Sequence, residues 1–196
     1  MPCAHSAQAG ARPGPAGAAA TIQTARLRLR ARRLGDLEAI VAMDADPMVR
    51  RFIGGPLDPD PHRVEVRRNI VGGRPEPHAS WAVEWRDRPG LLGLCGLSRS
   101  EETGGLTQIG WRLLPAAWGQ GVATEAARAV LARALGPLGL RTVVALVHPG
   151  NRASIRVAEK IGMVRVGVTR FRGVPQLVYR AGGADGAAGH RGPDTP

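Results

Sequence analysis

The chain has 196 residues, 43% of them hydrophobic and 22% charged, which fits one soluble domain with a full core and leaves little room for a second. Its net charge is +11, almost all of it from arginine, because Lys160 is the only lysine. This excess favours a solvated basic surface or attraction to an anionic cofactor, an acidic substrate or nucleic acid. Aromatic residues make up only 4%, which argues against a platform that stacks single-stranded nucleic acid, so a nucleic-acid partner is not expected.

The two ends of the chain differ in composition from its middle. Residues 1–20 and 182–196 are rich in Ala, Gly and Pro and are predicted to be disordered extensions, which leaves residues 21–181 as the folded domain. Cys3 and Cys95 form neither a CxxC pair nor a metal-ligand pattern, and no apolar run reaches the length of a membrane span. A reduced, cytoplasmic protein without a metal or a membrane partner is therefore expected.

The first half of the domain begins with a strand followed by two helices. Strict alternation in Arg26–Arg30 predicts a half-buried strand. Asp36 is expected to cap a helix that runs to about Asp46, where Pro47 ends it. A second, weaker helical pattern covers His62–Val71.

Three strands are predicted next. Ala79–Trp85 and Leu91–Ser98 are typical of a hairpin, with its turn at Arg88-Pro89-Gly90. After another glycine turn, Leu106–Leu114 forms the third strand.

The remaining pattern is helix, strand, helix and a last hairpin. Ala123–Leu135 and Asn151–Ile161 are helical, and the β-branched run Leu140–Val147 between them suits a buried central strand. Val164–Arg170 and Gln176–Tyr179 form the hairpin. The order β α α β β β α β α β β predicts a mixed α/β domain whose central strand–helix–strand unit is parallel and right-handed.

The segment Trp118–Ala126 joins a strand to a helix through two glycines one residue apart. Glycines permit a tight turn and close backbone approach, and the free N–H groups of the first helical turn attract an anion. A phosphate group is therefore expected at this turn.

Three segments together resemble a known family. Ile109–Leu113 with Trp118–Ala126 resembles a cofactor motif, His148–Met163 resembles a second motif, and Thr24–Arg30 resembles the first strand of the GCN5-related N-acetyltransferases, the GNAT superfamily. The branch that acetylates ribosomal-protein N-termini is the most similar. The resemblance implies a central mixed sheet of about seven strands flanked by about four helices.

The resemblance also implies acetyl-CoA as co-substrate and an amine as acceptor. Asn151 and Ser154, one helical turn apart, would meet the pantetheine and the thioester, although Asn151 also suits a plain helix N-cap and Ser154 a small packing residue. The expected cofactor-binding residues are Leu113 and Leu114 at the pantetheine arm and Trp118, Gly119, Gln120, Gly121, Val122, Ala123 and Thr124 at the pyrophosphate.

The chemistry implied is direct attack of the amine on the thioester in a ternary complex, and here the chain departs from the family pattern. Ala158 stands where many members carry a tyrosine general acid, and Gln108 stands where relatives carry a glutamate. Ser154 and Asn151 are the catalytic candidates. Glu84 is an alternative base, although a surface carboxylate is favoured there, and proton loss to a water relay is the default.

The acceptor site is expected from the first helices and the final hairpin. Phe52, Trp81 and Trp111 are its candidate residues, with core packing as the other reading of Trp111. Four arginines in the same region favour an acceptor that carries carboxylate or phosphate: Arg50, Arg51, Arg67 and Arg68.

Two further possibilities concern function and assembly. Without an evident acid or base, the chain also fits an acyl-CoA-binding or nucleic-acid-associated module with little catalysis. The short final hairpin suggests an open acceptor site or one that a second copy completes as a homodimer.

Overall fold

The computed structural model describes residues 19–73, 76–100, 103–171 and 173–183, so most of both predicted extensions and Cys3 lie outside the described residues. The strands within this part are β1 (Ile22–Gln23), β2 (Leu27–Ala31), β3 (Ser80–Trp85), β4 (Gly93–Ser100), β5 (Leu106–Leu113), β6 (Thr142–Val147), β7 (Val164–Phe171) and β8 (Val174–Gly182). The α-helices are α1 (Leu37–Ala45), α2 (Pro47–Arg50), α3 (Pro59–Val71), α4 (Val122–Leu135) and α5 (Arg152–Lys160).

The predicted mixed α/β fold is confirmed, with two short elements added. Strand β1 has only two residues, too few for an alternation pattern. Pro47 ends α1 as expected, but it also opens α2, because the Asp46 carboxylate accepts hydrogen bonds from the N–H groups of Met48 and Val49. Helix α3 starts three residues before the predicted His62, since Asp58 caps it and Pro59 occupies its first turn.

The sheet has eight strands in the order β1-β2-β3-β4-β5-β6-β8-β7. The predicted parallel pairing of β5 with β6 is confirmed, but it extends over only two residue pairs, Thr107 with Val143 and Gln108 with Val144. Strand β6 pairs instead with β8 along its whole length. Beyond Gln108 the two parallel strands therefore diverge, and a wedge opens between their carboxyl ends.

Helices cover both faces of this sheet. Trp81 and Val83 of β3 belong to a core cluster with α4, whereas Ala82 between them packs with α1 and α3. Because successive side chains of a strand point to opposite faces, the two clusters lie on opposite sides of the sheet. None of the helices in the described ranges is long and apolar enough to cross a membrane.

The start of α1 differs from its prediction. Asp36 lies at the N-cap position but makes no capping bond with its side chain. The carboxylate instead accepts hydrogen bonds from Arg30 Nη1 and Nη2 at 2.7 and 2.8 Å and from the Arg33 N–H at 2.8 Å. Burial would raise the pKa of Asp36, but these bonds outweigh it and lower the pKa.

Candidate active site

The wedge between β5 and β6 holds a cavity of about 380 Å³. Its strand walls are residues 108–113 and 145–147, and α5 closes one side with Asn151, Ser154 and Val157. Trp118 and Ala123 line the end where β5 runs into the glycine turn. The exposed edge of β5 along this wall leaves backbone groups unpaired with β6, so an extended chain can add to the strand there.

The glycine turn has the conformation that its composition predicts. Gly119 and Gly121 have φ angles of 73° and 77°, values that side-chain-bearing residues rarely adopt. The Trp118 indole N–H donates to the Leu113 carbonyl at 2.9 Å and fastens the turn to the end of β5. Gly121 is the N-cap of α4 and supplies no side-chain cap, so the first-turn N–H groups of α4 remain available to an anion.

The side chains of the other residues in the turn are engaged within the protein. Val122 is buried in the core, and the Gln120 amide donates to the Ala116 carbonyl at 2.7 Å. Thr124 is half-buried in the first turn of α4. Of the residues predicted at this turn, Trp118 and Ala123 line the cavity, whereas Gly119, Gln120, Gly121, Val122 and Thr124 do not.

A clamp joins the start of β2 to the first turn of α4, and the sequence patterns did not reveal it. The Glu125 carboxylate accepts hydrogen bonds from the Thr24 hydroxyl at 2.6 Å, from the Arg26 N–H at 3.0 Å and from Arg26 Nε at 2.7 Å. Arg26 Nη1 also donates to the Gln120 carbonyl at 3.1 Å. Burial would raise the pKa of Glu125, but these bonds lower it overall.

Asn151 and Ser154 meet as their spacing predicts. The Asn151 Oδ1 atom accepts a hydrogen bond from the Ser154 N–H at 3.1 Å, so Asn151 is an N-cap of α5. This bond uses only the carbonyl end of the amide and leaves its NH₂ end to donate elsewhere. Both residues line the wedge cavity.

Leu114 does not take the position expected of it. Its N–H donates to the Leu92 carbonyl and its own carbonyl accepts from the Ala117 N–H, both at 2.9 Å. Leu114 therefore donates its N–H within the sheet and lines neither cavity, whereas Leu113 lines the wedge.

A second cavity of about 650 Å³ lies on the side of α1 and α3. It continues into the wedge, because the same residues line both cavities: Phe52, Ile53, Gln108, Gly110, Trp111, Arg112 and Leu146. Two of the three predicted acceptor residues, Phe52 and Trp111, therefore stand at the junction.

The prediction that Trp81 contributes to the acceptor site is wrong. Its side chain is 0% exposed, packs on the α4 face of the sheet and lines neither cavity. Its indole N–H donates to the Ala20 carbonyl at 2.9 Å, so it anchors the start of the described chain. Alternation in β3 decides this, since the neighbouring Ala82 takes the face that α1 and α3 cover.

The predicted arginines separate in the structure. Arg50 lines the second cavity and Arg51 the wedge, whereas Arg67 and Arg68 are exposed on α3 and line neither. Arg32 from the end of β2 also lines the second cavity.

The second cavity contains a buried charged cluster that the sequence did not indicate: Asp44, His62 and Arg112. Asp44 is 0% exposed, with Oδ2 2.8 Å from His62 Nε2 and Oδ1 2.7 Å from Arg112 Nε. Arg112 Nη2 also donates to Oδ2 at 2.9 Å. Burial lowers the pKa of Arg112 and the nearby Arg50 lowers it further, while Asp44 opposes both. The three residues lie on α1, α3 and β5, far apart in the chain, so no local motif signals them.

Several residues considered for chemistry are placed elsewhere. Glu84 is not on the surface: it is 1% exposed and paired with Arg28 at 2.6 Å and Arg30 at 2.9 Å, outside both cavities. Ala158 is fully buried in the core. Burial raises the pKa of the Cys95 thiol to about 12. Within the described ranges, no group of three His, Cys, Asp or Glu side chains is placed to hold a metal ion.

Comparison with known proteins agrees with this architecture. A family model described as "Acetyltransferase (GNAT) domain" matches residues 26–164, more than half of the chain. The uncharacterized protein YkkB of Bacillus subtilis (strain 168) is 34% identical over 158 residues, which cover 80% of this chain and 92% of YkkB.

Solved structures show the same fold. The crystal structure of an acetyltransferase from Agrobacterium tumefaciens str. C58 is 28% identical with a TM-score of 0.71, and the match covers 87% of this chain and 99% of that one. Spermidine N-acetyltransferase from Vibrio cholerae, solved in complex with CoA and spermine, has a TM-score of 0.64 over 80% of this chain and 94% of its own; at 21% identity this likeness concerns the fold alone. From the family match and these relatives together, the chain belongs to the GNAT acetyltransferase family.

Proposed function

We propose that this protein is an N-acetyltransferase that transfers the acetyl group of acetyl-CoA to a primary amine by direct attack in a ternary complex. One observation supports the proposal: two cavities share a wall at Gly110 and Trp111, and one of them ends beside the glycine turn that precedes α4. No side chain caps the N-terminus of α4 there. A donor with a phosphate end and an acceptor approaching from the other side can therefore meet inside the molecule.

The wedge is the proposed site of acetyl-CoA. The pyrophosphate would lie on the backbone N–H groups from Gly119 to Thr124, with Trp118 beside it, and the pantetheine would pair with the free edge of β5 up to Leu113. The CoA complex of the Vibrio cholerae relative, which shares this fold, supports the choice of cofactor.

The reaction needs no covalent intermediate on the protein. The amine must lose a proton before its nitrogen attacks the thioester carbonyl; the new C–N bond forms, the C–S bond breaks, and the sulfur leaves as a thiolate that takes up a proton. Ser154, on the helix wall of the wedge, is the proposed donor of a hydrogen bond to the departing sulfur. The NH₂ end of Asn151 is the proposed donor to the pantetheine amide. Holding both substrates side by side supplies much of the rate by proximity.

The larger cavity is the proposed site of the acceptor. Phe52 and Trp111 at the junction give the amine an aromatic wall, while Arg32 and Arg50 also line this cavity. This lining favours an acceptor that carries a carboxylate or a phosphate, such as an amino acid or the N-terminus of a peptide. The motif resemblance to ribosomal-protein acetyltransferases makes N-terminal peptides the first candidates.

The test combines a binding and a turnover measurement. Calorimetry with acetyl-CoA should show saturable binding, and thiol release should be followed with a panel of short peptides with free N-termini, amino acids and polyamines. We expect turnover with peptides or amino acids rather than polyamines. Binding without thiol release from any amine would favour an acyl-CoA-binding module, and no saturable binding of acetyl-CoA would refute the proposed function.

A further inference from the structure

The proposed reaction requires a group that takes up the proton of the acceptor ammonium. Gln108, which lines both cavities, has an amide and cannot serve. Glu84 is held by Arg28 and Arg30 outside the cavities. His148 lines the wedge, but its Nδ1 already accepts the Gly150 N–H at 3.0 Å.

The cluster of Asp44, His62 and Arg112 has the geometry of an oriented base. Arg112 pairs with the buried carboxyl group of Asp44: its Nη2 donates a hydrogen bond to Oδ2 at 2.9 Å, and its Nε lies 2.7 Å from Oδ1 without hydrogen-bond geometry. A carboxylate only accepts hydrogen bonds, so its 2.8 Å contact with His62 Nε2 places the proton of the neutral imidazole on that nitrogen. The lone pair is then on Nδ1, which is buried and has no hydrogen-bond partner among the residues that the structure describes.

The position of this cluster links it to the reaction. Arg112 lines both cavities, and His62 lines the cavity proposed for the acceptor. Asp44 contacts both of them, so it connects the His62 imidazole to the wall that the cavities share. His62 Nδ1 is 3.8 Å from Glu65 Oε2, and the Glu65 side chain is 56% exposed. The unpartnered, buried nitrogen therefore lies next to a carboxylate that reaches solvent.

We propose that His62 is the catalytic base of the acetyl transfer and that Asp44 is the residue that positions it; this inference rests on the proposed function. Glu65 moves aside to admit the ammonium, which gives one proton to His62 Nδ1. The freed nitrogen lone pair forms the C–N bond as the C–S bond breaks and its electron pair leaves on sulfur. The second N–H proton of the amine then passes to the thiolate, which gives a neutral amide and the free thiol of CoA. The imidazolium then passes its proton to Glu65, which releases it to water.

Four charged groups set the charge balance around His62. Asp44 from α1 and Glu65 from α3 flank the ring, Arg112 from β5 neutralises Asp44, and Arg50 from α2 acts on Arg112. Imidazole is the side chain that commonly changes protonation near neutral pH. Turnover of the parent protein should therefore fall as the pH decreases, because a base that already carries a proton cannot take one from the ammonium.

The test is His62→Gln, which keeps an N–H donor within reach of Asp44 but cannot accept a proton. With the panel amine that gives the fastest thiol release, kcat/KM for the acceptor should fall about 100-fold at pH 7. The loss should shrink as the pH rises, because the amine then deprotonates by itself. KM for acetyl-CoA and the melting temperature should stay at the parent values, which a merely structural role would not predict. Arg67→Gln, exposed on the same helix α3 and outside both cavities, should keep the parent's pH profile.

A second measurement does not depend on the acceptor. Ring ¹⁵N chemical shifts of the full chain should show neutral His62 with its proton on Nε2. A neutral ring protonated on Nδ1, a His62→Gln profile equal to the parent's, or loss of the profile in Arg67→Gln as well would overturn the inference. If the parent itself released no thiol with any amine, the proposed function would have failed; if only the His62→Gln result were negative, the assignment of His62 alone would be wrong.

Discussion

At the scale of single residues, the proposed chemistry depends on side chains that line the wedge. Ser154 lines the wedge from α5, and the hydrogen bond that holds this part of α5 is made by its backbone N–H rather than by its hydroxyl. Its hydroxyl can therefore be removed with little effect on the helix. A substitution at Ser154 can therefore test the proposed catalytic role of the hydroxyl without destabilising α5.

Ser154→Ala should lower kcat about 10-fold or more while the Kd for acetyl-CoA changes less, because the hydrogen bond to sulfur strengthens as the thiolate forms. Calorimetry and thiol release on the same preparation measure the two quantities. Asn151→Ala is the comparison variant, since it removes the N-cap and should lower the melting temperature as well. Equal losses of binding and turnover in Ser154→Ala would remove this residue from the chemistry.

Gly121 tests the anion site through backbone conformation alone. At φ 77° a β-branched residue is strained, so Gly121→Val should displace the turn and weaken acetyl-CoA binding at least about 10-fold. Gly104→Val is the matched control: Gly104 has φ 68° and open space around it, at the opposite end of β5. Both variants should lose stability, but only Gly121→Val should lose affinity in calorimetry. Unchanged affinity in Gly121→Val would move the pyrophosphate away from this turn.

At the scale of elements, the wedge depends on how strands and helices are held. Strand β6 pairs with β5 over only two residue pairs, while β8 pairs with its other edge along Thr142–Val147. On the opposite side of the turn, Glu125 ties α4 to β2 through Thr24 and Arg26. The glycine turn, our proposed anion site, is therefore held between the end of β5 and the start of β2, which are distant in sequence.

The clamp at Glu125 should make stability depend on pH. The folded-state pKa of Glu125 is lowered, so its contribution is fully present above the unfolded pKa of about 4.3 and is lost as the pH falls through the folded pKa. Glu125→Gln should cost about 1 to 3 kcal/mol at pH 7 and flatten the fall in melting temperature between about pH 5 and pH 3.

Glu38→Gln is the matched control for this experiment. The hydrogen bond from Arg63 lowers the pKa of Glu38 too, but that pair lies exposed on the surface, so its removal should leave the melting temperature nearly unchanged. Thermal melts followed by circular dichroism across the pH range compare the three proteins. A Glu125→Gln protein that kept the parent's pH dependence would show that the clamp does not stabilise the fold.

At the scale of the whole molecule, one sheet separates two cores, and the start of the described chain is joined to one of them. Ala19 packs against the core cluster of α4, and the Ala20 carbonyl accepts the hydrogen bond of the buried Trp81 indole. The Ala20 N–H donates to Glu76 at 3.2 Å, and Glu76 pairs with Arg133 at 2.8 Å. Ala19 and Ala20 are the last two residues of the segment predicted to be disordered, residues 1–20, and both contact the domain.

Two truncations therefore should behave differently. Deleting residues 1–18 should leave the melting temperature unchanged, as the composition of that segment predicts. Deleting residues 1–20 removes the acceptor of a buried N–H group and should cost about 1 to 3 kcal/mol, a fall of several degrees. Differential scanning calorimetry of both proteins is the measurement, and equal melting temperatures would contradict the role assigned to Ala20.

The sequence by itself determined the mixed α/β order, the parallel pair β5–β6, the glycine turn and the meeting of Asn151 with Ser154. Each of these follows from local patterns, namely apolar periodicity, turn chemistry and residues one helical turn apart. Tertiary structure alone decided which face of β3 Trp81 occupies, that Glu84 is a buried ion-pair partner, and that Asp44, His62 and Arg112 meet. Those outcomes depend on strand register and on helices packing across a sheet, which join residues far apart in the chain and leave no local pattern to read.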